Sequence, residues 1–256
     1  MSGPIPGLPE GLVLTLRQTL PDFTLVGALA RDYQLHTVAG LPTGSATRDV
    51  DVSILVPSLD AYHHQLRPFF GPNATGIRFQ VDGFEVDVIP YGPRVAPGGV
   101  VEPAEGLTLD ITGMAEAAAT AETVTLGSTA VKVPTLSSMI GLKLVAWHYR
   151  HVGEPNKDAR DLGPLLQATR YGPHGEALWD DVEALQRWEY QDYLVGPYRA
   201  GRQLHADWEP ASLERLAGIL DGDGPTLASH ISRASRETVG ELDVQLAALR
   251  AGITGS

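Results

Sequence analysis

The chain has 256 residues, a length that fits one large domain or two modest ones and is enough to bury a core without cross-links. It has no cysteine, which excludes disulfides, thiolate zinc sites and cysteine nucleophiles and fits a reducing, cytoplasmic setting. The formal net charge of −12 excludes bulk attraction to nucleic-acid phosphate, so any RNA would need a local basic patch.

The N-terminus reads Met1-Ser2-Gly3-Pro4-Ile5-Pro6, without a basic start or an apolar core, so no signal peptide is expected. The apolar stretches fall short of the roughly 18 residues of a membrane span. Phe23 to Val26 reads as a strand, followed directly by a helix over Gly27 to Val38. Val50 to Val56 is a buried strand with a polar edge, and Leu59 to Phe70 a helix that starts at Ser58-Leu59-Asp60. The alternating runs Gly76–Val81 and Phe84–Pro90 flank Asp82-Gly83, a strong hairpin signal. Pro93 to Glu105 reads as a loop. Short strands follow near Thr123–Leu126 and Ala130–Val133, then helices over Thr135–Arg150, Lys157–Thr169, Gly175–Gln186 and onward to Leu249. The expected class is α+β: a small mixed sheet with flanking helices over 1–134, and a helical region over 135–256 that completes the site and substrate cleft.

Chemistry concentrates in Arg48-Asp49-Val50-Asp51. Side chains two apart on a strand share a face, so Asp49 and Asp51 present two carboxylates side by side. Like charges held that close repel unless a cation lies between them, and magnesium takes oxygen ligands from one or two carboxylates plus substrate phosphates. The plainer reading is an exposed strand edge. Asp87, in Phe84-Glu85-Val86-Asp87-Val88-Ile89, is a third acid in an apolar strand of the same sheet and needs a partner, a metal centre or an ion pair. Val26-Gly27-Ala28 marks a strand–helix junction whose amides suit a phosphate, or is simply a turn. Lys143, Trp147 and Arg150 lie along one helix side ahead of Lys157-Asp158-Ala159-Arg160-Asp161, either to grip phosphate oxygens or as a solvated basic face.

Together these features resemble the nucleotidyltransferase superfamily of DNA polymerase β. Its glycine pair, Asp-x-Asp strand and third aspartate correspond to Gly27-Ala28, Asp49-Val50-Asp51 and Asp87. The interval from Gly27 to Asp49 is longer than the common form, the surplus falling in the Gly-rich His36–Thr47 stretch, and Ala28 replaces the second glycine or serine. Within the superfamily the chain is most similar to the AbiEii/AbiGii-type nucleotidyltransferases, the toxin halves of type IV toxin–antitoxin pairs. Leu142-Lys143-Leu144 and Lys157-Asp158-Ala159-Arg160-Asp161-Leu162 look like their later motifs, and the likeness spans roughly residues 23–166. Gly27-Ala28-Leu29-Ala30-Arg31-Asp32 also resembles the opening of CCA-adding enzymes and poly(A) polymerases, without their downstream Glu-Asp-x-x-Arg motif.

The resemblance implies transfer of a nucleoside monophosphate from an NTP, ATP included, to an acceptor. The acceptor it points to is RNA, such as a tRNA 3′ end, with a cognate antitoxin protein as partner. A small molecule of aminoglycoside type or a protein is the alternative acceptor, and a catalytically inactive binding module the alternative class. Two Mg2+ ions, or Mn2+, would be held by Asp49, Asp51 and Asp87. Gly27, Ala28, Arg48, Lys143 and Arg150 would contact the nucleotide, and Asp158 or Asp161 would orient Lys143 or the nucleotide. Arg31 and Arg48 are equally readable as structural partners of the acids. The eight histidines show no convincing zinc spacing, and Trp147, Trp179, Trp188 and Trp208 read as helix-packing anchors, one of which could stack a base.

Overall fold

The structure is a computed structural model that describes residues 5, 7–42, 49–71, 74–154 and 156–256. Arg48, one of the expected nucleotide contacts, lies outside the described residues. The class is α+β, and the chain divides into two compact units. The first takes in Met1–Tyr33 and Thr43–Thr135, the second Gln34–Pro42 and Leu136–Ser256.

In chain order the first unit contains α1 (Glu10–Thr19), β1 (Thr24–Val26), α2 (Gly27–Asp32), β2 (Asp49–Leu55), α3 (Leu59–Leu66), β3 (Arg78–Val81), β4 (Phe84–Tyr91), β5 (Val100–Ala104), β6 (Leu107–Asp110), α4 (Met114–Ala119), β7 (Glu122–Leu126) and β8 (Thr129–Val133). Six strands form one mixed sheet in the order β3-β4-β2-β1-β8-β7, and β5 pairs with β6 alone. Strands β2 and β4 run parallel, while β1 and β2 run antiparallel.

Strand alternation divides this sheet into two chemically distinct faces. Leu25, Val50, Val52, Ile54, Phe79, Val86, Val88, Val131 and Val133 are buried on one of them. Helix α1 packs beside β3 and β8 with Leu12, Val13 and Leu16 buried. Thr15 Oγ1 donates to Asp82 Oδ2 at 2.6 Å and ties α1 to the turn between β3 and β4. That turn has Asp82 at φ +51° and Gly83 at +81°, the two left-handed residues a two-residue hairpin needs. Ser58 caps α3 by accepting from the Ala61 amide at 3.1 Å.

Three expectations change here. Pro93–Glu105 is not all loop, because Val100–Ala104 pairs with Leu107–Asp110 across a turn at Glu105-Gly106. The Gly27 helix keeps α geometry only to Asp32 and continues as a π-helical turn over Tyr33–Val38. The Leu59–Phe70 helix ends at Leu66 and finishes as a 3-10 turn, Arg67–Phe69, with Pro68 inside it.

The second unit is helical: α5 (Leu136–Arg150), α6 (Ala159–Ala168), α7 (Gly172–Glu176), α8 (Val182–Arg187), α9 (Asp192–Asp207), α10 (Pro210–Ser232) and α11 (Val239–Thr254). The helix expected over Gly175–Gln186 is broken into the end of α7, a 3-10 turn at Ala177–Asp180 and α8, which Asp181 caps through the Ala184 amide. Thr238 and Glu241 form a capping box at the start of α11. No described helix is long and apolar enough to cross a membrane.

Candidate active site

In the first unit the site follows from strand register. Asp51 stands opposite Asp87, and Asp49 opposite Glu85, across the parallel β2–β4 pair. Opposed residues share a face, so four carboxylates project from the polar face of two adjacent strands. Asp49 is exposed and the other three are partly buried. Further along the same face Ser53 and Thr24 are buried, and Ser53 Oγ makes no hydrogen bond among the described residues.

Gly27 seats one of these acids. Val26 pairs with Asp51 across the antiparallel β1–β2 ladder, and Gly27 follows at φ +64°. A Cβ on Gly27 would lie 2.0 Å from Asp51 Oδ2 and 2.5 Å from its Cγ. Only glycine supplies both the left-handed backbone and the space for the carboxylate. The strand–helix junction read at Gly27, either a phosphate contact or a turn, is present, and its neighbour there is a carboxylate. Ala28 follows it in a helix of six residues.

The residue that the sequence did not single out is Arg78. Its Nε donates to Asp87 Oδ1 at 2.8 Å and its Nη2 to Asp87 Oδ2 at 2.9 Å, while Nη1 lies 2.8 Å from Glu85 Oε1. This is a forked, charge-assisted pair. The hydrogen bonds to Asp87 raise the guanidinium pKa most; partial burial opposes them, and the charges of Asp87, Glu85 and Asp49 add to the rise. The signal was available: counting back from Asp82-Gly83 places Arg78 opposite Asp87. Behind the strand, the buried Tyr62 hydroxyl lies 2.7 Å from the Val88 carbonyl oxygen and 3.1 Å from that of Gly76. Burial first, then the charge of Asp87, holds its pKa well above the usual phenol range.

Among the described residues, no group of three or more His, Cys, Asp or Glu side chains forms a metal-ligand set as placed. The donor chemistry nevertheless suits a hard divalent cation: carboxylates of Asp49, Asp51 and Asp87 on one face, one of them seated where a Cβ would otherwise be. Asp87 carries the ion pair that was the alternative to a metal centre, and Arg78 is its partner. Arg31 serves its neighbour, with Nε and Nη2 at 2.8 and 2.6 Å from Asp32 Oδ1.

The second unit brings together Lys143, Arg150, Asp158 and Asp161. Lys143 Nζ lies 2.5 Å from Asp161 Oδ2 and 3.2 Å from Asp158 Oδ1. Arg150 donates from Nε and Nη2 to Asp158 at 2.7–3.0 Å. The Asp158 side chain is 1% exposed and that of Lys143 12%. A solvated basic face is therefore ruled out for Lys143, which both acids orient. The site residues named from the sequence thus fall into two groups, one in each unit.

The histidines nearest this group in sequence make packing and polar contacts. His148 Nδ1 pairs with Asp223 at 2.9 Å, His151 stacks on Trp147 at 4.6 Å between ring centroids, and Trp147 Nε1 donates to His230 Nδ1 at 3.3 Å. Burial, then Arg233 and His151, lowers the His230 pKa. Trp147 and Trp208 are buried anchors, as expected, whereas Trp179 is 62% exposed. No family model matches the chain, and no curated protein sequence matches it.

Proposed function

We propose that the chain is a magnesium-dependent nucleotidyltransferase, transferring a nucleoside monophosphate from an NTP to an acceptor hydroxyl, with an RNA 3′ end as the leading acceptor and a toxin–antitoxin setting as its context. The observation that carries this reading is the seating of Asp51 against Gly27 in register with Asp87. Packing against Gly27 limits where the Asp51 carboxylate can sit, and a ligand site needs its acids held in place.

In the reaction the acceptor oxygen attacks the α-phosphorus, the new P–O bond forms, and the bond to the pyrophosphate oxygen breaks. Asp87 is the group to receive the hydroxyl proton, and Asp49 and Asp51 would hold the cation whose charge offsets that of the phosphate. Magnesium, when bound by these three acids, supplies Lewis-acid stabilisation of the phosphate oxygens. Neutralisation of the leaving pyrophosphate by Lys143 rests on the resemblance alone. The net charge of −12 favours a second reading in which the acceptor is a small molecule or a protein. The Arg78–Asp87 pair favours the inactive-module reading, since it satisfies the third acid without metal.

The test is incubation with each labelled nucleoside triphosphate, magnesium and total RNA, beside the Asp49→Ala/Asp51→Ala double variant. Label on RNA with the wild type alone supports the reading. Magnesium-dependent nucleotide binding without transfer to RNA redirects the search to small-molecule or protein acceptors, and absence of any binding overturns the enzyme.

A further inference from the structure

We infer that the contact between α5 and α10 is a proton-sensitive joint: neutral His230 holds Trp147, and a proton on His230 releases it while the His148–Asp223 pair keeps the two helices together. The inference is independent of the nucleotidyltransferase reading. It follows from which ring nitrogen each contact uses. Trp147 Nε1 donates to His230 Nδ1 at 3.3 Å, so neutral His230 carries its hydrogen on Nε2. A second proton must enter at Nδ1, the accepting atom, where it meets the indole N–H donor to donor. His148 responds in the opposite sense. Its Nδ1 lies 2.9 Å from Asp223 Oδ2 and carries a hydrogen, so a second proton enters at Nε2 and turns that hydrogen bond into an ion pair. His151 Nδ1 donates to the His148 carbonyl oxygen at 2.8 Å, and its ring stacks on Trp147. Its second proton likewise spares the hydrogen bond, and it adds a charge 6.4 Å from His230 between ring centroids. Of the three rings, His230 alone loses a hydrogen bond by taking up a proton. Burial, then Arg233 on the same helix and His151 across from it, disfavours its imidazolium. Charges on the other helices packed against α10 pair elsewhere: Asp158 and Asp161 with Lys143 and Arg150, Arg199 and Arg202 of α9 with Asp181, and Arg250 of α11 with Asp221. Helix α10 can yield between its two contacts, because Gly224 and Pro225 stand between Asp223 and His230. Proline gives no amide to the helical ladder, and glycine is a weak helix former. Trp147 lies between Lys143 and Arg150 along α5, so the joint sets how firmly the stretch that carries both cations is held.

The test is a pH titration of the full chain by NMR between about pH 7.5 and about pH 5, following the assigned indole N–H resonances of Trp147 and Trp208. The Trp147 resonance is expected to shift with a midpoint below the ordinary histidine value of about 6.5. The Trp208 indole, which donates to Ser138 Oγ, is expected to stay in place. His230→Gln, whose amide oxygen can accept the same bond, should hold the Trp147 resonance constant across the range. His151→Phe, which keeps a stacked ring without the charge, should retain the shift and raise its midpoint. A Trp147 resonance that does not move, that moves equally in His230→Gln, or that moves together with Trp208 as the whole chain unfolds overturns the joint. Should His230→Gln fail to fold, the wild-type His230 ring resonance decides: a midpoint different from that of Trp147 overturns the joint.

Discussion

At Gly27 a methyl group would lie 2.0 Å from an Asp51 oxygen, and the backbone φ of +64° adds strain for any L side chain. Gly83 has φ +81° with nothing within 4 Å of its ideal Cβ, so it isolates the strain. Gly83→Ala is expected to lower stability by about 1–2 kcal/mol, the cost of a left-handed alanine. Gly27→Ala should cost more, and it alone should weaken divalent-ion binding, because it alone displaces Asp51. Equal losses of melting temperature with unaltered metal binding would show that the seat is unimportant. In the second unit Asp158 is the buried partner of two cations. Asp158→Ala should lose about 2 kcal/mol in urea denaturation, because Arg150 loses its charged hydrogen-bond partner while Lys143 keeps Asp161. Asp161→Asn, which leaves Lys143 its Asp158 contact, should lose distinctly less. The identity of these acids was legible in the sequence, since Asp-x-Asp and Lys-Asp-x-x-Asp are local spacings. The part played by Gly27 was not, because a close approach between residues 24 positions apart is a tertiary fact. Arg78 lay between, recoverable from the hairpin register but disguised as an exposed strand residue.

Elements whose signals are local came through: the Asp82-Gly83 hairpin, the Ser58 cap and the paired strands β7 and β8. Elements that depend on context did not. The π turn at Tyr33–Val38 carries the same apolar spacing as an α-helix. The break between α7 and α8 falls in a sequence of helical composition, where Gly172 and Pro173 mark only the start of the irregular stretch. Helices α9 and α11 meet through backbone. A Cβ on Gly201 would lie 2.2 Å from the Leu249 carbonyl oxygen, and one on Gly252 would lie 2.1 Å from that of Tyr198. Gly201→Ala and Gly252→Ala should each cost about 1–3 kcal/mol through overpacking. The double variant should cost less than their sum, because the first methyl already separates the helices. Additive losses in chemical denaturation would place the two glycines in independent contacts.

At the scale of the whole molecule, two histidines favour the neutral imidazole in the folded chain. His174 has its pKa lowered by burial and then by Arg199, and its Nε2 is buried with no hydrogen-bond partner among the described residues. His230 is lowered as well. A depressed folded-state pKa means that the unfolded chain takes up the proton first as pH falls. This contribution is complete above the unfolded value of about 6.5 and is lost as pH drops towards the folded values. His174→Leu should therefore show a smaller fall in melting temperature between about pH 7.5 and about pH 5.5 than the wild type. An equal fall in both proteins would assign the acid sensitivity elsewhere. The division into a sheet-bearing region and a helical one could be read from composition, since strand patterns stop near Val133. That Gln34–Pro42 joins the helical unit could not, because nothing local distinguishes that segment from its neighbours.

The two faces of the six-stranded sheet separate the apolar packing of the first unit from its clustered carboxylates. Along β2 and β4 the core residues Val50, Val52, Val86 and Val88 alternate with Asp49, Asp51, Glu85 and Asp87. Chemistry on such a sheet is free to drift. A lineage can exchange an aspartate for an asparagine without reopening the packing of Val50, Val52, Val86 and Val88, so charge and foldedness are inherited on alternate letters of the same short strands.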